Sequence, residues 1–121
     1  MALFDANVIL RYLLNDNAGM AEEAERYLHV GDVSVTIEVI AEVVYVLKGV
    51  YGLERGTITE TIQAFLELVQ CREKAVLHAA LDAYAKHNLD FVDCVLFAYH
   101  QVDGAEIKTF DMKLKKLLAE C

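Results

Sequence analysis

The sequence is poor in cysteine, in histidine pairs and in long apolar runs. Its three cysteines, Cys71, Cys94 and Cys121, are odd in number and share no Cys-x-x-Cys spacing, which excludes a disulfide framework or a cysteine zinc site and indicates reduced thiols. Its four histidines form no HxH or HExxH spacing. The longest apolar runs are far below the roughly 20 residues that a membrane span requires, so we expect no membrane association.

Basic charge is also scarce. Eleven Lys and Arg residues face 19 Asp and Glu residues, a formal net charge of −8. This balance argues against nucleic-acid binding through bulk electrostatics, but it leaves room for an enzyme that approaches phosphates through bound divalent cations. The N-terminus has no basic region leading into an apolar core and a cleavage site, so the default expectation is a cytoplasmic protein. At this length we expect one domain over residues 1–121.

Short β-like runs alternate with helical patterns along the chain. We predict strands at 2–4, 32–36 and 106–110, and helices at 7–14, 20–30, 37–52, 57–70, 74–87, 90–101 and 112–120. Thr57 and Glu60 fit a capping box at the start of one helix, and Asn88 fits a left-handed terminator after another. The alternation predicts an α/β fold with a parallel sheet and helices on both faces.

Two acidic residues directly follow predicted strands. Asp5 follows the first strand and Asp111 follows the last one. In parallel α/β sheets, ligands bind beyond the carboxyl ends of the strands. These two positions therefore give the first indication of a site.

Further acids interrupt strongly apolar helical segments. Glu38 and Glu42 are four residues apart on one predicted helix; Glu38 fits a solvated face, whereas Glu42, with four apolar neighbours in 40–44, is expected to be partly buried. Asp90 fits the N-cap of a later helix, which leaves Asp93 in its first turn with a side chain available for other work.

Packed carboxylates repel one another unless a cation or a proton neutralises them. Mg²⁺ or Mn²⁺ prefers oxygen ligands and keeps positions open for phosphate oxygens, so it suits such a set of acids. The sequence shows no Ser–His–Asp or Cys–His set and no phosphate-binding glycine loop. The residues therefore indicate an acidic divalent-metal site in an α/β domain, without naming a substrate.

Four segments, in order, resemble the motifs of PIN-domain ribonucleases, in particular the VapC-like toxins of toxin–antitoxin pairs. They are "FDANVILRYLLND", "VIAEVVYVLKGVYGL", "LDFVDCVLFA" and "IKTFDMKL". The resemblance covers essentially the whole chain. It implies a three-layer α/β/α fold with a central parallel sheet of four to five short strands, Mg²⁺- or Mn²⁺-dependent endonucleolytic cleavage of RNA, a homodimer, and a neutralising antitoxin.

The resemblance also implies roles for individual residues. Four match the family's acidic metal ligands, and three more match supporting positions. The ligands are Asp5, Glu42, Asp93 and Asp111, and the supporting residues are Asp90, Asn7 and Thr109. We expect Asp5, Asp93 and Asp111 to contact the cation and Glu42 to orient the attacking water. Candidates for contacts with the RNA backbone are Lys108, Lys113 and Arg11, with Lys115 and Lys116 in the same basic cluster.

Three other interpretations compete with this one. A haloacid-dehalogenase-type phosphatase also begins with Asp after a strand, but it needs a second Asp where this chain has Asn7. A catalytically silent PIN-like module would bind a partner without cleaving RNA. A PIN nuclease could also act in RNA processing without an antitoxin.

Overall fold

The computed structural model describes residues 1–120; Cys121 lies outside the described residues. The chain divides into two compact units, which we call the N-terminal unit, Met1–Glu73, and the C-terminal unit, from Lys74 onward. Within residues 1–120, no helix is long and apolar enough to cross a membrane.

The N-terminal unit contains a small parallel sheet and four helices. Its elements are β1 (Ala2–Leu3), α1 (Ala6–Leu14), α2 (Ala18–Val30), β2 (Val33–Ser34), α3 (Ile37–Gly49) and α4 (Arg55–Leu66). Strands β1 and β2 pair in parallel, with Ala2 opposite Val33, and Ser34 forms a further parallel bridge with Gln70. The predicted parallel pairing is confirmed, but residues 1–120 show two strands and one bridge rather than four to five strands.

The apolar faces of these helices form the core of the N-terminal unit. Helix α1 packs on α2 and α3, and α3 packs on α4. Ile9 of α1, Ile40 of α3 and Ile62 of α4 are fully buried. The rings of Tyr12 and Phe65 lie 5.9 Å apart between centroids. Helix α1 ends at Asn15, whose φ of 50° places it in the left-handed region.

The C-terminal unit contains three helices, α5 (Lys74–Lys86), α6 (Phe91–Asp103) and α7 (Met112–Ala119). Helix α6 packs on both α5 and α7. Tyr84 and Phe91 meet edge to face, with 5.8 Å between their ring centroids. Leu114 on α7 is completely buried. The short last helix is therefore anchored through its apolar face, which leaves its lysines exposed.

The predicted roles of Thr57 and Asn88 at helix ends are wrong. Helix α4 begins at Arg55 with Glu54 at its N-cap, so Thr57 lies inside the first turn and forms no capping box. Asn88 does not have a positive φ; among the described non-glycine residues only Asn15 does. A capping box requires the helix to begin just after its first residue. Helix α4 begins before Thr57, so Thr57 cannot cap it.

The predicted strand at 106–110 is not a strand among the described residues. Its side chains do alternate: Ala105, Ile107 and Thr109 are half-buried, and the residues between them are exposed. Alternation sets which side chains are covered, whereas a strand also requires a hydrogen-bonded neighbour. The sequence pattern therefore identified the extended segment and its faces but not its pairing.

Candidate active site

Asp5 lies just beyond the carboxyl end of β1, where it forms the N-cap of α1. Its Oδ1 accepts a hydrogen bond from the backbone N–H of Val8 at 2.9 Å, and its side chain is exposed. This bond restrains the carboxylate of Asp5 at the sheet edge where the parallel strands end.

Glu42 lies on the solvent side of α3. The helix starts directly after β2, with Thr36 at its N-cap, and it buries Ile40 and Val44 on the opposite side. Glu38 and Glu42 are both exposed, so the expectation that Glu42 is partly buried is wrong. Its apolar sequence neighbours point elsewhere because helical periodicity, not sequence proximity, decides which side chains share a face.

Three predicted site acids come together in the C-terminal unit. Asp93, in the first turn of α6, is half-buried, and burial raises its pKa; the nearby carboxylates of Asp111 and Asp90 raise it further. Asp90 occupies the N-cap position of α6, yet its side chain makes no capping hydrogen bond. The expected cap is thus correct in position only, and the Asp90 charge acts on Asp93 instead.

Two hydrogen bonds hold Asp111 in place, one to its side chain and one from its backbone N–H. Its Oδ1 accepts from the N–H of Leu114 at 2.8 Å, which caps α7. Its own N–H donates to the Oγ1 of Thr109 at 3.0 Å. The carboxylate of Asp111 is exposed, and these two hydrogen bonds restrict the backbone that carries it.

The candidate RNA-binding residues differ in how they are engaged. Lys108 pairs with Glu106 at 2.6 Å between two exposed side chains, and Lys113 is exposed on α7. Arg11 pairs with Asp16 at 2.9 Å, and its Nη2 donates to the Tyr51 hydroxyl at 3.4 Å. That hydrogen bond to Tyr51 is the main cause of a raised pKa at Arg11. Arg11 is therefore tied to its own unit more firmly than the two lysines are.

Asn7 is exposed and lines a cavity of about 520 Å³ within the N-terminal unit, together with Arg11 and Tyr27. One residue beside the acids was not singled out from the sequence: Phe110, between Thr109 and Asp111, is 96% exposed. The alternation of 106–110 was a usable signal, since it places Phe110 on the same side as Lys108.

Similarity to known proteins identifies the family. Residues 2–118 match the family model of the PIN domain. The chain belongs to the PIN domain family. This PIN chain is also 30% identical over 125 residues to a VapC ribonuclease of Aquifex aeolicus (strain VF5), an alignment that covers 97% of this chain and 92% of that protein. No solved structure matches the chain significantly. The resemblance carried by the four motifs is confirmed.

PIN nucleases generally use divalent metal ions. Within residues 1–120, no group of three or more His, Cys, Asp or Glu side chains is arranged to hold one. The chemistry of the donors nevertheless fits a hard cation, because all the predicted ligands are carboxylates. Burial is the first cause of the raised pKa of Asp93, and the charges of Asp111 and Asp90 add to it; a cation bound beside Asp93 would offset the effect of these charges.

Proposed function

We propose that this PIN chain is a Mg²⁺- or Mn²⁺-dependent endoribonuclease and the toxin of a toxin–antitoxin pair. The observation that carries the proposal is its similarity to a VapC ribonuclease over 97% of the chain. The acids of the four motifs support it, because they supply the oxygen ligands that divalent-metal nucleases need.

In this proposal Asp5, Asp93 and Asp111 would hold the cation. When bound, the cation would act as a Lewis acid that makes a water molecule more acidic and neutralises charge developing on the phosphate oxygens. Asp5 and Asp111 suit this role because a capping hydrogen bond to Val8 or Leu114 restricts each carboxylate. Asp90 adds negative charge beside Asp93.

Glu42 would orient the attacking water and accept its proton. Its exposed position on α3 leaves the carboxylate open to water. The water oxygen bonds to phosphorus, one phosphodiester P–O bond breaks, and the departing oxygen takes a proton from solvent. Asn7 and Thr109 would order the site, and Thr109 already holds the backbone of Asp111.

The RNA backbone would be attracted by a local basic segment in an acidic chain. Residues 108–116 contain four lysines and one acid, Asp111, although the whole chain carries −8. Phosphate contacts of this kind position a nucleic acid without reading its sequence. Lys113 is a better candidate than Lys108, because Lys108 is paired with Glu106, and Arg11 ranks below both.

The partners in this proposal are an antitoxin and a second copy of the chain. A basic side chain of the antitoxin would neutralise the acidic site through charge-assisted hydrogen bonds to its carboxylates. The genomic neighbourhood tests this step: a small adjacent reading frame whose product binds the chain and stops RNA cleavage supports it. Absence of such a partner would favour a nuclease that acts in RNA processing.

Cleavage of a defined RNA panel by wild-type protein and by Asp5→Asn tests the catalytic step. Asparagine is also a good N-cap, so Asp5→Asn keeps the cap of α1 while removing the charge. We expect wild-type cleavage with Mg²⁺ or Mn²⁺, none with chelator, and none by the folded variant. Equal cleavage by wild type and by folded Asp5→Asn would contradict the proposal, and an inactive wild type that binds RNA would indicate a silent module.

A further inference from the structure

Phe110 is the most exposed large apolar side chain in residues 1–120. It is 96% exposed, ahead of Val30 at 82%. A ring left in water gains nothing from hydrophobic burial, and exposed apolar surface that is contiguous and rimmed by polar residues marks a binding surface. Phe110 also stands directly before Asp111, a predicted metal ligand. Its position calls for an explanation beyond the stability of the C-terminal unit.

Apolar side chains and lysines surround the Phe110 ring. The ammonium nitrogen of Lys115 lies over the ring, 5.8 Å from its centroid. A cavity of about 490 Å³ adjoins it, lined by Ile107, Lys108, Thr109, Phe110, Lys115 and Leu118. Apolar surface bordered by lysines matches a ligand that is flat and apolar on its faces and anionic along its edge.

Unpaired nucleotides have this combination of properties. Proteins that bind single-stranded nucleic acid place bases on aromatic rings and guide the backbone with positive charge. Lys108 and Lys115, which line the cavity beside the ring, supply that charge locally in a chain of net charge −8. An apolar protein partner would use the ring but would leave these cations without a role, so the charge favours RNA.

The chain also places the ring beside the predicted chemistry. Phe110 and Asp111 are adjacent in the chain, with Cα atoms about 3.8 Å apart, and both side chains are exposed. The backbone there is fixed by the bonds from Asp111 to Thr109 and from Leu114 to Asp111. A base stacked on the ring would therefore position the strand relative to the carboxylate.

We propose that Phe110 stacks a base of unpaired RNA next to the phosphate that is cleaved, with Lys115 contacting the adjacent backbone. The inference rests on the proposed ribonuclease function and adds to it a residue that positions the RNA strand. Stacking is tolerant of base identity because every base has a π face. Phe110 would therefore favour unpaired strands over duplexes without specifying a sequence.

Binding measurements in the Glu42→Gln background test this without cleavage. Fluorescence anisotropy with Mg²⁺ compares a labelled 12-nucleotide unpaired RNA with the same strand in a duplex. We expect Phe110→Leu to weaken binding of the unpaired strand by about tenfold or more, with little effect on the duplex, and Phe110→Tyr to restore it. Lys115→Gln should lower the salt dependence of binding by about one phosphate contact. Val30→Ala, at another exposed apolar position, serves as the control.

A covalent probe locates the contact independently of affinity. RNA carrying 5-iodouridine should crosslink on irradiation to the peptide that contains Phe110. Undiminished binding by Phe110→Leu, or crosslinks confined to other peptides, would overturn the stacking role while leaving wild-type cleavage, and so the proposed function, intact. If Phe110→Leu dissociates a dimer but the monomer binds RNA normally, the ring is a protein contact. A wild-type protein that cleaves no RNA with Mg²⁺ refutes the proposed function instead.

Discussion

The hydroxyl of Thr109 accepts a hydrogen bond from the backbone N–H of Asp111 at 3.0 Å. Asp111 in turn accepts from the N–H of Leu114 at 2.8 Å, so the two bonds join the extended segment to the first turn of α7. The short side chain of Thr109 thus restrains the position of Asp111, a predicted metal ligand. This relationship makes Thr109 a positioning residue and leads to the first prediction.

Thr109→Val should slow RNA cleavage by about tenfold, because it removes the acceptor but keeps the branched shape. The loss of one hydrogen bond is also expected to lower the free energy of unfolding by about 0.5–1.5 kcal/mol. Thr109→Ser retains the hydroxyl and should restore most of the rate. Cleavage kinetics and thermal melting of both variants measure the two effects; equal rates for Val and Ser would remove the positioning role.

Replacing Asp111 separates its structural role from its catalytic one. Asp111→Asn keeps a capping side chain at the start of α7, whereas Asp111→Ala loses it and should cost about 1 kcal/mol of stability. Both variants lose the charge, so both should lose Mg²⁺-dependent cleavage. Melting temperatures and cleavage assays on the pair make the comparison. If Asp111→Asn instead cleaved RNA like wild type and only the less stable Asp111→Ala lost activity, Asp111 would act only as a cap.

The sequence predicted most elements of the fold from periodicity and capping. Helix α3 was expected over 37–52 and is Ile37–Gly49, and α6 was expected over 90–101 and is Phe91–Asp103. What it could not supply was hydrogen bonding between distant segments. That pairing decides whether 106–110 is a strand, and it also gives a bridge to Gln70, which was predicted as the end of a helix.

In the candidate site, too, some features are set by local sequence and others by packing between distant segments. The predicted helix starts placed Asp5 and Asp111 correctly, because N-caps are encoded in a few neighbouring residues. The prediction that each of them follows a strand is correct for Asp5 and wrong for Asp111, since 106–110 is not a strand. Burial depends on what packs against a face, so the exposure of Glu42 and of Phe110 was not predicted. The set of metal ligands stays a prediction, which the remaining experiments address.

Glu42 and Glu38 offer a matched pair on the exposed side of α3. They are separated by one helical turn and are both exposed, so Glu42→Gln and Glu38→Gln should each change the melting temperature very little. If Glu42 orients the attacking water, only Glu42→Gln should reduce cleavage, by about 100-fold or more, as for loss of a general base. Single-turnover cleavage with Mg²⁺ measures this. Equal loss in both variants would indicate a shared effect of negative charge on α3.

Asp93→Asn should stabilise the metal-free protein at neutral pH. Burial, Asp111 and Asp90 raise the pKa of Asp93, so this carboxyl favours the folded state when protonated. That contribution is complete below the ordinary Asp pKa of about 3.9 and is lost as the pH rises through the raised value. Asparagine stays neutral throughout, so its advantage should be largest near pH 7, on the order of 1–3 °C in melting temperature, and should disappear on acidification.

Melting curves in chelator between about pH 4 and pH 8 provide the measurement for Asp93→Asn, and Glu25→Gln, an exposed change of the same charge on α2, controls for net charge. Adding Mn²⁺ should then reverse the order, because a ligand that binds only the folded state raises its stability and Asp93→Asn would bind the ion poorly. A variant less stable than wild type in chelator at neutral pH would show that the Asp93 carboxylate stabilises the fold, and its repulsion with Asp90 and Asp111 would then be too weak to require a cation.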